Sequence, residues 1–215
     1  YNDNAYVGFK FGTVGSSTYE ATHANTNNST ILTNLEAWYN NNDNFKKYEK
    51  VIADTVWCND KTNVTDTSYD PWSMTPNGLG YGTNKTYYGA TKRLVGTSGS
   101  AGGTGPSLKC NGKLSKITSK IGLITADELA FAGYASLLEN TTTYLQENAT
   151  DTYWWSLSPF HFNRGSARVW GVGGSDGDFG NYRVHNTVGV RPSISLKPST
   201  NVTGNGTSEN PYKVV

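Results

Sequence analysis

Charge, sulfur and long apolar runs are all scarce in this sequence, and each shortage removes a class of function. Lys, Arg, Asp and Glu make up 16% of the residues and sum to +1, against about a quarter charged in an ordinary globular chain. Nucleic-acid binding needs a basic face that neutralises phosphates, so this balance argues against it. Three arginines near the C-terminus, Arg164, Arg168 and Arg183, stand beside Asp176 and Asp178 and read as a mixed polar surface. No apolar run approaches the roughly 18 residues of a membrane span, and no charged-then-apolar segment opens the chain. Direct membrane insertion of these residues is therefore not expected. Cysteine occurs twice, at Cys58 and Cys110. Neither has a second Cys or a His at metal spacing, so there is no zinc motif. Two arrangements stay open, a bridge or a pair of buried thiols. A bridge would close a loop of about 50 residues, worth about 4 kcal/mol in the chain-entropy account, and would fit an exported protein.

Catalytic patterns are missing as well. His23, His161 and His185 have no HExxH spacing, and no GxSxG nucleophile elbow occurs. The glycine-rich tract at 96–105 has no Gly-Lys-Ser/Thr after it and no strand before it, which excludes a phosphate loop. Adjacent carboxylates at Asp127 and Glu128 are accounted for by a helix start: Thr125 and Glu128 form a capping box, and the helix dipole favours Asp127 in the first turn. The sequence reads as a non-enzyme with no cofactor and no metal site.

Aromatics are plentiful, at 13% of 215 residues. One domain with a core of large rings plus Ile, Leu and Val follows, its solvent face carried by Asn, Thr, Ser and Gly. A helix begins at Ser29 or Thr30, with Ile31, Leu35, Trp38 and Tyr39 on one face, and ends in the asparagines at 40–42. Residues 43–50 suit a second short helix, and 51–58 a buried segment. Residues 59–106, rich in Gly, Thr and Pro, read as an insertion, because so long a loop is uncommon in a compact domain. Its aromatics, Tyr69, Trp72, Tyr81, Tyr87 and Tyr88, either pin it to the body or add to a binding rim, and pinning is favoured. Ile121 to Ile124 form a strand running into the capped helix, which stops at Gly133. A polar connector follows at 134–152. Asn-x-Ser/Thr triplets at Asn63, Asn84, Asn140 and Asn148 are what an Asn/Thr-rich chain makes by chance.

The chain is organised around residues 153–196. Tyr153, Trp154 and Trp155 at one end, and the alternating run 188–196 at the other, suit half-buried strands and read as framework. Trp154, Trp155, Val190, Ile194 and Leu196 are expected in the core. Between them, Arg, Trp, Tyr and His are interleaved with Gly, the composition of a binding surface on a rigid support. Strand alternation sends Ala167 and Val169 to one face and Arg168 and Trp170 to the other, the second pair toward solvent. Beyond a turn at 175–178 it sends Val184 inward and Arg183 and His185 outward.

The framework WWSLSP, then ARVWGV, then GVRPSISL, with IGLITADELAFAG upstream, resembles bacterial proteins with a C-type-lectin-like fold, the fold shared with formylglycine-generating enzymes. It is most similar to the variable proteins of diversity-generating retroelements. The resemblance implies an α+β C-type-lectin-like domain over 1–215, with short helices against a small, mostly antiparallel sheet and much irregular structure. It implies a display region at about 153–192 whose ligand-binding or diversified positions are Phe160, His161, Asn163, Arg164, Arg168, Gly171, Gly173, Gly174, Asp178, Gly180, Asn181, Tyr182, Arg183 and His185. Trp170 flanks them as framework, since adenine-directed changes to an Asn codon do not reach Trp. No Cys follows Cys110, so the late cysteine pair that holds copper in the enzymatic members is absent. The implied function is recognition of an unknown protein or surface ligand of another cell, from an extracellular, cell-surface or pilus-associated position. A signal or pilin-like anchor ahead of Tyr1 is the matching expectation. Two alternatives stand beside it: a structural surface or pilus-tip subunit without a dedicated binding face, and a calcium-dependent sugar-binding lectin using Asp176 and Asp178.

Overall fold

Trp154 to Asn163 form the longest strand, and the computed structural model, which describes every residue except Asn148 and Asp151, builds the rest around it. Upstream, a 3-10 turn over Asn4–Val7 is capped by Asp3, whose carboxylate accepts from the Ala5 amide at 2.8 Å. Strand β1 (Lys10–Phe11) pairs antiparallel with β2 (Asn27–Asn28), and the one-turn helix α1 (Tyr19–Thr22) lies between them in sequence. Helix α2 (Thr30–Asn40) starts where the Ser29 side chain accepts from the Leu32 amide. Helix α3 (Asp43–Tyr48) follows. Strand β3 (Thr55–Cys58) comes next, then β4 (Thr86–Tyr87), helix α4 (Gly89–Leu94) and β5 (Lys116–Ser119), which returns to pair with β3. Strand β6 (Gly122–Leu123) leads into α5 (Ala126–Phe131), and α6 (Tyr144–Glu147) precedes the long strand, β7 (Trp154–Asn163). Strands β8 (Ser166–Val172) and β9 (Phe179–Arg183) follow as consecutive hairpins. Finally β10 (Pro192–Ser193) pairs with β6, and β11 (Val202–Thr203) with β12 (Lys213–Val214). This is a mixed α and β architecture of short helices and small antiparallel sheets, the largest a four-stranded sheet ordered β4-β7-β8-β9. Among the described residues no helix is long and apolar enough to cross a membrane.

Both faces of the four-stranded sheet are covered, and that decides several placements. On one face Trp170, Val172, Phe160 and Phe179 pack with Leu94 of α4 and Leu129 of α5. On the other, Trp155 and Leu157 pack with Leu32, Leu35 and Tyr39 of α2 and with Ile52, Trp57 and Leu123, while Val169 and Tyr182 lean on the same cluster. Alternation correctly pairs Arg168 with Trp170, but the expected exposure of Trp170 is overturned: it is fully buried. The α4–α5 layer covers the half of that face where Trp170 lies, and its indole sits 4.5 Å from the Phe160 ring and 4.6 Å from Phe179. Along β7 the register shifts between Trp155 and Pro159 and again between Pro159 and His161. Such bulges break period two, and with both faces covered β7 is buried almost throughout.

Trp154 and Trp155 are core as expected, but Val190, Ile194 and Leu196 are not, each being more than a third exposed. Between Val188 and Leu196 the chain is tied to the body by the two-residue pairing of β10 with β6 and by single bridges such as Ile52 to Leu196, so it borders the core without entering it. In α2 the buried stripe is Leu32, Leu35 and Tyr39; Trp38 lies outside it, packed edge-on against Phe45 at 5.0 Å. The segment 51–58 is half-buried, with Ile52 and Trp57 inside and Val56 outside. Residues 59–106, expected as an insertion, supply β4, an edge strand of the main sheet, and α4 on its face. Tyr69, Tyr87 and Tyr88 are buried there, which is the pinning role.

The capping box forms as read: the Thr125 amide donates to Glu128 Oε2 at 2.8 Å and the Glu128 amide to Thr125 Oγ1 at 3.2 Å. Asp127 has a role beyond the dipole. Arg93 of α4 grips it through Nε and Nη2 at 2.6 and 2.7 Å and reaches Asp60 through Nη1 at 2.8 Å, tying α4 to α5. Cys58 and Cys110 are bridged, with Cα atoms 5.5 Å apart. Asn148 lies outside the described residues.

Candidate ligand-binding cleft

The β7–β8 hairpin closes through Arg164 and Gly165, both with positive φ (51° and 68°), between the paired residues Asn163 and Ser166. Two left-handed residues make the turn whose twist matches the flanking strands. Glycine and asparagine suit such positions, whereas an arginine there is held at a cost of about 1–2 kcal/mol. The side chain therefore stands at the hairpin tip against local preference.

Beside it, β8 and β9 place Arg168 and Arg183 as direct cross-strand partners. Arg168 Nη1 donates to Asn181 Oδ1 at 2.8 Å. Half-burial, then the charge of Arg183, presses the Arg168 guanidinium below the usual arginine range. His161, opposite Arg168 on β7, is nine-tenths buried, and burial followed by the Arg168 charge lowers it to about 3, so its imidazole is neutral. Trp72 supplies a wall from far upstream, stacked on Phe160 at 5.4 Å and edge-on to His161 at 6.1 Å. Together these groups line an open cleft of about 410 Å³, which His185 and Asn163 also border. Among the described residues no carboxylate lines it. Asp176 and Asp178, expected to mix with the arginines, sit at the opposite end of the β8–β9 hairpin, at least five strand positions from Arg168 and Arg183 or about 17 Å. Among the described residues no ion pair involves Arg164, Arg168 or Arg183. Two polar atoms of cleft residues, His161 Nδ1 and Ser166 Oγ, are buried without a hydrogen-bond partner.

The expected display residues thus divide. His161, Asn163, Arg164, Arg168, Asn181, Arg183 and His185 converge on the cleft, with Phe160 buried as part of its lining. Trp170, Gly171, Gly173, Gly174, Asp178, Gly180 and Tyr182 do not. Tyr182 lies on the other face, 4.4 Å from the Tyr153 ring and 6.3 Å from Trp155. A Cβ at Gly171 would meet Tyr182 Cδ2 at 2.7 Å, and one at Gly173 or Gly174 would overlap Asp176 Oδ1 or the Thr150 carbonyl, so these glycines permit close packing and display nothing. Asp176 accepts from the Asp178 amide at 3.0 Å within the turn, and burial, then Asp176 and Glu139, raises the Asp178 carboxyl. Among the described residues no three His, Cys, Asp or Glu gather as a metal site. Sequence reasoning passed over Ser166 and favoured a purely structural Trp72, although the aromatic content of 59–106 was the available signal.

A second hollow of about 470 Å³ lies on the other face, lined by Tyr1, Tyr6, Phe11, Trp155 and Val184 among others. It lacks the convergent charged groups that mark a specific site. The chain matches no protein-family model, and no curated protein or solved structure matches it.

Proposed function

We propose that this chain is a ligand-recognition protein that presents the arginine cleft on a fixed C-type-lectin-like scaffold, in the manner of the variable proteins of diversity-generating retroelements, displayed at a bacterial surface or on a pilus. The observation that carries the reading is convergence: residues spread over 161–185 meet at one open cleft, while the glycines and aromatics between them are packed as framework. Binding is favoured over catalysis because Ser166 Oγ and His161 Nδ1 are unpartnered, so no nucleophile is held by a base, and an imidazole lowered to about 3 is a poor base at neutral pH. The bridged cysteines suit an exported protein.

Whole-cell pull-downs with the wild-type chain and with Arg168→Ala, Asn181→Ala and Arg183→Ala test this. The variants keep the wild-type fold and lose the captured partner, whereas Phe131→Ala and Tyr144→Ala, exposed elsewhere, keep it. Folded cleft variants with undiminished capture would place recognition on another surface. The retroelement kinship has its own test in the coding DNA: a near-repeat of the 3′ region beside a reverse-transcriptase gene, differing at adenines in codons of cleft residues and matching at Gly171, Gly173 and Gly174.

A further inference from the structure

We propose that the cleft binds a carboxylate, with Arg164, Arg168 and Arg183 holding an Asp or Glu side chain from an acidic segment of a partner protein; this rests on the reading of the cleft as the recognition face. Like charges set directly opposite on neighbouring strands repel, with Cβ atoms about 5 Å apart, and Arg168 and Arg183 are such a pair. Among the described residues no acid lines the cleft to neutralise them. A third guanidinium, Arg164, is added at the hairpin tip in a backbone conformation that favours other residues. Destabilising features gathered at one concave spot are what a site retains for its ligand.

A carboxylate answers each feature. Its two oxygens match the guanidinium fork, and such charge-assisted pairs are among the strongest hydrogen bonds available. His161, whose imidazole burial and the Arg168 charge keep neutral, lines the cleft without adding a further positive charge. Asn181 already engages Arg168 and fixes its direction. A cavity of about 410 Å³ is at the small end for ligand sites and takes a side chain and its neighbours. The chain carries only +1 overall, so it lacks the extended basic surface that a polyphosphate backbone requires. The anion is compact and enters at one point.

The test titrates the isotope-labelled protein with hexaglutamate, with hexaglutamine and with inorganic phosphate, following the arginine Nε–Hε signals by NMR. Hexaglutamate shifts the signals of Arg164, Arg168 and Arg183, with an affinity that falls as salt rises, and hexaglutamine does not. Arg168→Gln combined with Arg183→Gln, confirmed folded by thermal unfolding, weakens hexaglutamate by about tenfold or more. Arg164→Asn weakens it as well while raising the melting temperature, because asparagine suits the turn. Equal response to hexaglutamine, response to phosphate without response to hexaglutamate, or unchanged affinity in the double variant overturns the inference. If hexaglutamate fails yet whole-cell capture still depends on Asn181, only the carboxylate assignment falls. If capture is also indifferent to Asn181, Arg168 and Arg183, the recognition reading falls with it.

Discussion

Trp170 and Arg168 are two positions apart on one strand face and have opposite fates. Truncating the buried indole, Trp170→Ala, removes contacts to Phe160 and Phe179 and costs about 3–5 kcal/mol, a large share of the stability of an ordinary domain. Chemical denaturation at neutral pH measures it, and a loss below about 1 kcal/mol is the contrary result. Arg168→Ala and Arg183→Ala relieve a cross-strand repulsion, so they leave the melting temperature unchanged or raise it slightly; a marked drop would make the arginines part of the fold. The alternation that assigned these residues to a shared face was legible from Ala167 to Trp170. Burial was not, because period two says which side chains share a face and is silent about what lies over it. The helices that cover Trp170 come from residues 89–94 and 126–131, and only their tertiary placement separates a core tryptophan from a half-buried arginine on the same strand.

Among the elements, α5 was the most legible, because its start is a local chemical pattern: Thr125 and Glu128 satisfy each other's amides, and Gly133, at φ 102°, lies just beyond its end. Its neighbour α4 was hidden in a Gly/Thr/Pro-rich stretch, and its link to α5 runs through one arginine between two acids distant in sequence. Asp127→Asn or Arg93→Ala breaks that link. Arg93→Ala leaves Asp60 and Asp127 buried without their cation and costs about 3–5 kcal/mol. Asp127→Asn, which leaves Arg93 its bond to Asp60, costs less. An exposed ion pair such as Lys46 with Asp43 contributes under about 1 kcal/mol. Urea midpoints for the two classes of variant distinguish a buried clamp from a surface pair. The β7–β8 turn was not anticipated, since Arg-Gly lacks the Asn-Gly or Asp-Gly signature of its type. Residues that serve a site rather than a turn carry no turn signal.

For the molecule as a whole, stability depends on pH through two buried imidazoles. His23 is lowered to about 3 by burial, then by the charge of Lys61, against a hydrogen bond to the Gly80 carbonyl; His161 is lowered to about 3 by burial, then by Arg168. Between about 3 and 6.5 the unfolded chain binds protons that the folded chain refuses, so stability falls as pH drops from 6.5 toward 3. His161→Gln flattens part of that slope in a pH series of thermal melts, and an unchanged slope would mean the imidazole charges freely in the fold. Reduction of the Cys58–Cys110 bridge, whose ends are 52 residues apart, removes about 4 kcal/mol in the chain-entropy account, read as a lower melting temperature in reductant. The origin of the cleft's wall has a different bearing, on transplantation. Trp72 reaches the site from a part of the chain some ninety residues before Arg164, so a peptide or grafted loop copying residues 153–192 carries the arginines but leaves the indole behind. Any repertoire made by varying that stretch alone inherits one aromatic side unaltered, and its members will share a bias in ligand shape however widely their charges differ.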